Sequence, residues 1–144
     1  ILPQPSEHEE VLTDYRELGF STKRHLLALL RPRLRAHGIL TRREVAQCRN
    51  GERVRIAGLV THLQRPSTAS GVVFASLEDE TGIHNIVIWP RVFELQRHVI
   101  LQANLMIVAG TVQSQDGVVH VVADRIGNLS HWIAEVPRNS RDFQ

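Results

Sequence analysis

Three carboxylates in a row, Glu78-Asp79-Glu80, are the closest the sequence comes to a divalent-cation site. Their setting, between two apolar runs and beside Thr81-Gly82, also reads as a solvated turn. The eight histidines do not fall at ligand spacing, and the one cysteine, Cys48, cannot build a zinc site or an internal disulfide. Walker, Gly-x-Ser-x-Gly and His-Glu-x-x-His motifs are absent, so the sequence predicts binding and no catalysis. Groups suited to binding are present. Of 17 basic residues 16 are Arg, whose planar fork grips phosphate and stacks on bases. Arg richness also follows from genomic base composition and by itself does not decide. A net charge of +2 hides an uneven distribution. Lys23, Arg24, Arg31, Arg33, Arg35, Arg42, Arg43 and Arg49 face one acid, Glu44, while five acids oppose Arg16 between Glu7 and Leu18. A basic stripe suits nucleic acid or an acidic protein equally.

The elements that must position these groups change character midway. Up to Gly51 the pattern is helical. Ser6 with Glu9 and Thr41 with Glu44 form capping boxes, and Val11, Tyr15 and Leu18 share a face. A second helix, capped by Ser21 or Thr22, carries Leu26, Leu27, Leu29 and Leu30, and Pro32 is expected to end or kink it. Val45 and Cys48 should face inward, and Asn50-Gly51 is a turn signal. These helices are too short to form their own core. They must pack on the second half of the chain or on an upstream domain; the expectation is that Tyr15–Gly38 rests loosely on the second half.

From Val54 the period becomes two. Strands are predicted at Val54–Leu63, Gly71–Leu77 and Ile83–Trp89, then a helix at Arg91–Leu101, then strands at Leu105–Val112 and Val118–Ile126 about an Asp116-Gly117 turn. Ile56-Ala57-Gly58-Leu59-Val60 recurs as Val108-Ala109-Gly110-Thr111-Val112. Glycine at the centre of both predicts tight coiling or close backbone approach in the first and fourth strands. That order is the order of an all-β OB-fold, a five-stranded Greek-key barrel with a helix between strands three and four, here preceded by a short α-helical segment. The expected organisation is a helical prefix over residues 1–51, the barrel over 52–130 and a tail over 131–144.

Such barrels bind single strands across strands two and three and the flanking loops. Arg65, Thr68 and Ser70 lie in the first loop as phosphate holders; Phe74, His84 and Trp89 are the stacking candidates and Asn85 a base-edge reader. Arg55, Arg91, Arg97, His120 and Arg125 could line the groove. Phe74 and Trp89 could equally be core, and Arg91 and Arg97 could sit on a helix plugging the barrel away from any ligand.

Arg65-Pro66-Ser67-Thr68-Ala69-Ser70-Gly71-Val72-Val73-Phe74, Leu77-Glu78-Asp79-Glu80-Thr81-Gly82 and Trp89-Pro90-Arg91-Val92-Phe93, in that order, resemble the carboxy-terminal part of bacterial C-family DNA polymerase α subunits, most closely the damage-inducible, error-prone branch. The resemblance extends through Tyr15-x-x-Leu18-Gly19-Phe20-Ser21, Leu29-Leu30-Arg31-Pro32, Gly117-Val118-Val119-His120-Val121 and Ser140-Arg141-Asp142-Phe143. It departs at His25-Leu26, where the family usually shows His-Pro. The resemblance implies a parent DNA-directed DNA polymerase for translesion synthesis, with mutasome proteins and the sliding clamp as partners. Its magnesium-binding aspartates would lie in a palm upstream, so no cofactor is expected in this stretch. Gln102-x-x-Leu105-Met106 faintly echoes a clamp-binding peptide. Two functions stay open: a single-stranded-DNA module, or a protein-docking module with incidental DNA contact. An independent tRNA-binding domain fits less well. No apolar run approaches the roughly 18 residues of a membrane span. One cysteine fits a reducing compartment, so a cytoplasmic location is expected. The start at Ile1, without a signal sequence, is expected of a piece of something longer.

Overall fold

A computed structural model describes residues 23–65 and 70–136. Helices α1 (Lys23–Ala36) and α2 (Arg42–Val45) precede strands β1 (Arg53–Gln64), β2 (Val73–Glu78) and β3 (Ile83–Ile88). Helices α3 (Pro90–Leu95) and α4 (Arg97–Gln102) come next, then β4 (Leu105–Gln115), β5 (Val118–Asn128) and α5 (His131–Glu135). The strands close into a barrel in the order β1-β2-β3-β5-β4, the OB-fold expected. Strand β1 is long because it serves two neighbours. Residues 53–59 pair with β4 and residues 59–64 with β2, and Gly58 sits at the hand-over. A Cβ there would lie 2.9 Å from the Glu78 carbonyl oxygen. At Gly110, beside the β5 bulge at Asp124, a Cβ would lie 2.1 Å from the Val122 carbonyl oxygen. Both strands need glycine because a neighbouring backbone occupies the side-chain space.

The barrel interior is filled from alternate positions, among them Ile56, Leu77, Ile86, Ile88, Met106, Val108 and Val121, with Phe93 of α3 and Ile100 of α4 packed against them. A second cluster lies outside the barrel wall. Leu26, Leu27, Leu30 and Leu34 of α1 bury against Ala57, Leu59 and Leu105, together with Trp132, Ile133 and Val136. Residues 131–136, grouped with the tail on sequence grounds, thus carry buried side chains.

Several local expectations are corrected. Of the two outcomes expected at Pro32, an end to the helix is excluded: α1 continues to Ala36 and stops before Gly38 (φ +74°). Leu30 and Leu34 flank Pro32 on the buried face, and burying leucine contributes about 1.5–3 kcal/mol each, enough to offset the roughly 3 kcal/mol a helical proline costs. The single helix expected at Arg91–Leu101 is broken at Gln96. The Gln96 side chain instead serves β5, accepting from Ile126 N–H (2.7 Å) and donating to the Asp124 carbonyl (3.4 Å). Leu105 and Met106 are fully buried in β4, so the clamp-peptide echo is core sequence. The Thr41–Glu44 capping box is present (3.1 and 2.9 Å), whereas Ser6–Glu9 lies outside the described residues.

The carboxylate run is not a solvated turn. Asp79 is fully buried. Its Oδ1 accepts from Thr81 N–H (2.7 Å), Thr81 Oγ1 (2.9 Å) and Gly82 N–H (3.0 Å); its Oδ2 accepts from Arg42 N–H (2.8 Å) and His84 Nε2 (3.0 Å). Burial alone would raise its pKa, but these donors outweigh it and hold the carboxyl at about 2. Glu80 takes a two-bond grip from Arg31 (2.6 and 2.9 Å), and Glu78 takes Arg24 (3.0 Å). Arg33 pairs with Glu135 and Arg35 with Glu44. Arg24 and Arg31 thus attach α1 to the end of β2 and the β2–β3 turn, Arg33 attaches it to α5 and Arg35 to α2.

Candidate nucleic-acid interface

Strand alternation and register place a defined set of side chains on the outer surface of β2, β3 and β5. In β2 the buried positions are Val73, Ala75 and Leu77, so Phe74 and Ser76 point outward; in β3, burial of His84, Ile86 and Ile88 turns Asn85 and Val87 outward. Phe74 pairs with Gln64 and Val87, Val87 with Val122, and Val122 with Thr111. Next to this row runs a second: His62, Ser76, Asn85, His120 and Gln113. The centre of the first row is an apolar strip with one aromatic ring, 42% exposed, and the second is a line of polar donors and acceptors. Stacking a base on the first and reading its edge from the second is chemistry these groups can do. Trp89 ends the outward series of β3 and is 51% exposed as the residue preceding α3.

The candidates chosen from sequence separate into four places. Phe74, Asn85 and His120 meet on this surface, with Trp89 at its edge. His84 does not belong to it. It is buried, donates from Nε2 to Asp79, and leaves Nδ1 without a partner among the described residues. Outward alternation belongs to Asn85, so His84 points into the barrel. Arg65 and Arg97 both lie over the Phe93 ring, at 4.4 and 5.8 Å, and Arg65 also pairs with Glu94 (3.5 Å). Arg91 is exposed on α3, which follows Trp89 at the edge of the surface and carries Phe93, while Arg97 belongs to α4. Arg55 and Arg125 lie elsewhere, in a groove on the β1–β4–β5 wall. Ser70 is exposed, and Thr68 lies outside the described residues.

Sequence reasoning missed Val87, Val122, Ser76, His62 and Gln113. Alternation relative to Phe74 and Asn85 would have found Ser76 and Val87. The β5 members needed the parallel β3–β5 pairing, which no local signal carries.

No helix among the described residues is long and apolar enough to cross a membrane. The chain is 45% identical over all 144 residues to an error-prone DNA polymerase of Methylococcus capsulatus, and 45% identical over 143 residues to one of Ralstonia nicotianae. It spans only 14% and 13% of those proteins' lengths. Among solved structures, an aspartyl tRNA synthetase from Entamoeba histolytica superposes with a TM-score of 0.53 at 11% identity, over 64% of this chain and 21% of that one, a likeness of fold. Residues 54–129, from β1 to the start of the α5 connection, match the model of the OB-fold nucleic acid binding domain. With that match covering the whole barrel and its outward rows, the chain belongs to the OB-fold nucleic acid binding domain family.

Proposed function

We propose that this chain is the single-stranded-DNA-binding module of an error-prone DNA polymerase, holding template during damage-induced translesion synthesis, with the polymerase chemistry supplied by other parts of the parent protein. The observation that carries the reading is the in-register pair of rows, Phe74–Val87–Val122 beside Ser76–Asn85–His120, left open on the barrel surface. The absence of fixed charge within the rows, with Arg91 on α3 after Trp89 and Arg65 and Arg97 over the Phe93 ring, suits bases on the surface and phosphates at its edge. The similarity of all 144 residues to a part of error-prone polymerases supports the parent assignment.

Fluorescence anisotropy of labelled oligo-dT tests it. Loss of one stacked base costs about 1–3 kcal/mol, so Phe74→Ala should weaken binding about 5- to 150-fold. Because Phe74 lies on the outer face and is 42% exposed, the variant's thermal unfolding should change only modestly. Wild-type affinity undetectable at low salt, or unaffected by Phe74→Ala, refutes the reading.

A further inference from the structure

The groove on the β1–β4–β5 wall is walled by arginine and floored by small and apolar residues. Arg55 of β1, Ala109 of β4 and Arg125 of β5 are successive cross-strand partners. The two arginines therefore stand two inter-strand spacings apart, about 10 Å, with only a methyl group between them. Ile107, Gly127 and Gly38 complete the floor and one rim, so no bulky side chain fills the space. The local carboxylate, Asp124, is already taken by Arg53 (2.8 Å). Arg55 touches only the His37 carbonyl (3.4 Å), and Arg125 has no hydrogen-bond or ion-pair partner among the described residues. Two exposed guanidinium groups thus face one open channel with neither paired to a carboxylate among the described residues, unlike Arg24, Arg31, Arg33 and Arg35 of α1.

The channel adjoins the Phe74 surface. Val122 and Thr111 end its first row, and Arg125 and Ala109 are the next outward pair on the same two strands, past the β5 bulge at Asp124. We infer that this groove is a second contact for single-stranded DNA, in which Arg55 and Arg125 hold two backbone phosphates of a strand leaving the Phe74 surface along β5. The inference rests on the single-strand reading of that surface. An acidic peptide would also meet two cations here. The position beside the stacking surface, and the planar fork that matches a phosphate edge, favour nucleic acid.

The test uses the 144-residue chain with two oligo-dT lengths, about five nucleotides to cover the stacking surface alone and about 15 to reach the groove. Two variants probe the groove: Arg55→Gln/Arg125→Gln removes both cations, and Ala109→Glu places a carboxylate between them. Both change exposed or half-buried outward positions, and matching unfolding midpoints confirm the fold. Each phosphate contact on a single strand contributes about 0.7 to the salt slope, so the double variant should flatten the slope for the long oligonucleotide by about 1.4 and weaken it roughly 25-fold at 0.1 M salt. Ala109→Glu should act in the same direction, and the short oligonucleotide should bind both variants within about twofold of wild type. An unchanged slope on the long strand overturns the groove while leaving the stacking surface standing. So does a double variant that keeps its DNA affinity but loses a poly-glutamate peptide, which would assign the groove to an acidic protein. Failure of the wild type to bind either length instead removes the single-strand reading itself.

Discussion

Replacing Asp79 should detach the helical segment from the barrel, because this one carboxylate joins the β2–β3 turn, the start of α2 and the buried His84. Asn is the informative substitution, being nearly isosteric. Its amide has one acceptor oxygen and an NH2 group. If the oxygen faces Thr81 and Gly82, the NH2 confronts Arg42 N–H and His84 Nε2; the reverse rotamer confronts Thr81 and Gly82 N–H instead. Either way two charge-assisted bonds are lost, at about 1.5–3 kcal/mol each, with some recovery if His84 changes tautomer. We expect Asp79→Asn to cost about 3 kcal/mol, and Asp79→Ala, which orphans every donor, about 3–5 kcal/mol. Urea unfolding followed by Trp fluorescence measures both, since Trp132 lies in the α1 cluster. The pH dependence gives an independent check. The folded-state pKa is depressed from 3.8 to about 2, so the stabilisation is fully present above about pH 4 and is lost as pH falls through 2. A shift of that size corresponds to about 2 kcal/mol. The stability gap between wild type and Asp79→Asn should therefore shrink by about 2 kcal/mol between about pH 6 and pH 2, other carboxylates cancelling in the difference. A gap below about 1 kcal/mol at neutral pH, or one independent of pH, would refute the role assigned to this carboxylate.

Two further substitutions test the scaffold. Gly110→Ala drives a methyl into the Val122 carbonyl, where backbone and not a flexible side chain must yield; calorimetry should show a loss of at least about 3 kcal/mol or failure to fold, and a neutral effect would contradict the barrel register. Pro32→Ala restores the missing helical N–H at an exposed position, so the free energy of unfolding in urea should rise by about 1–3 kcal/mol, and a fall would mean that α1 does not run unbroken through this residue.

Elements with a local cause were legible in the amino-acid order. Alternation set the strands, Asp116-Gly117 set the β4–β5 turn with both residues at positive φ, Thr41 and Glu44 set the start of α2, and Gly58 and Gly110 marked where backbones meet. From these the order of an OB-fold could be read, whereas Phe74 stayed open between surface and core, and adjacent His84 and Asn85 were both taken as surface groups although alternation lets only one of them face outward. Which cations and histidines are available was settled only in three dimensions. Arg24 and Arg31 are drawn to carboxylates 54 and 49 residues away, and with Arg33 and Arg35 also paired, half of the eight cations in a stripe that looks free along the chain are neutralised in space. Asp79 and His84 are five residues apart, yet only closure of the barrel under α1 and α2 takes both out of water, and a buried carboxylate must then collect every donor within reach. The division of Arg55 and Arg125 from the Phe74 surface depends on pairing β1 with β4 and β4 with β5. Composition and spacing register side-chain type along one dimension; pairing across the barrel is a property of the closed fold, and it selects which of those side chains share a surface.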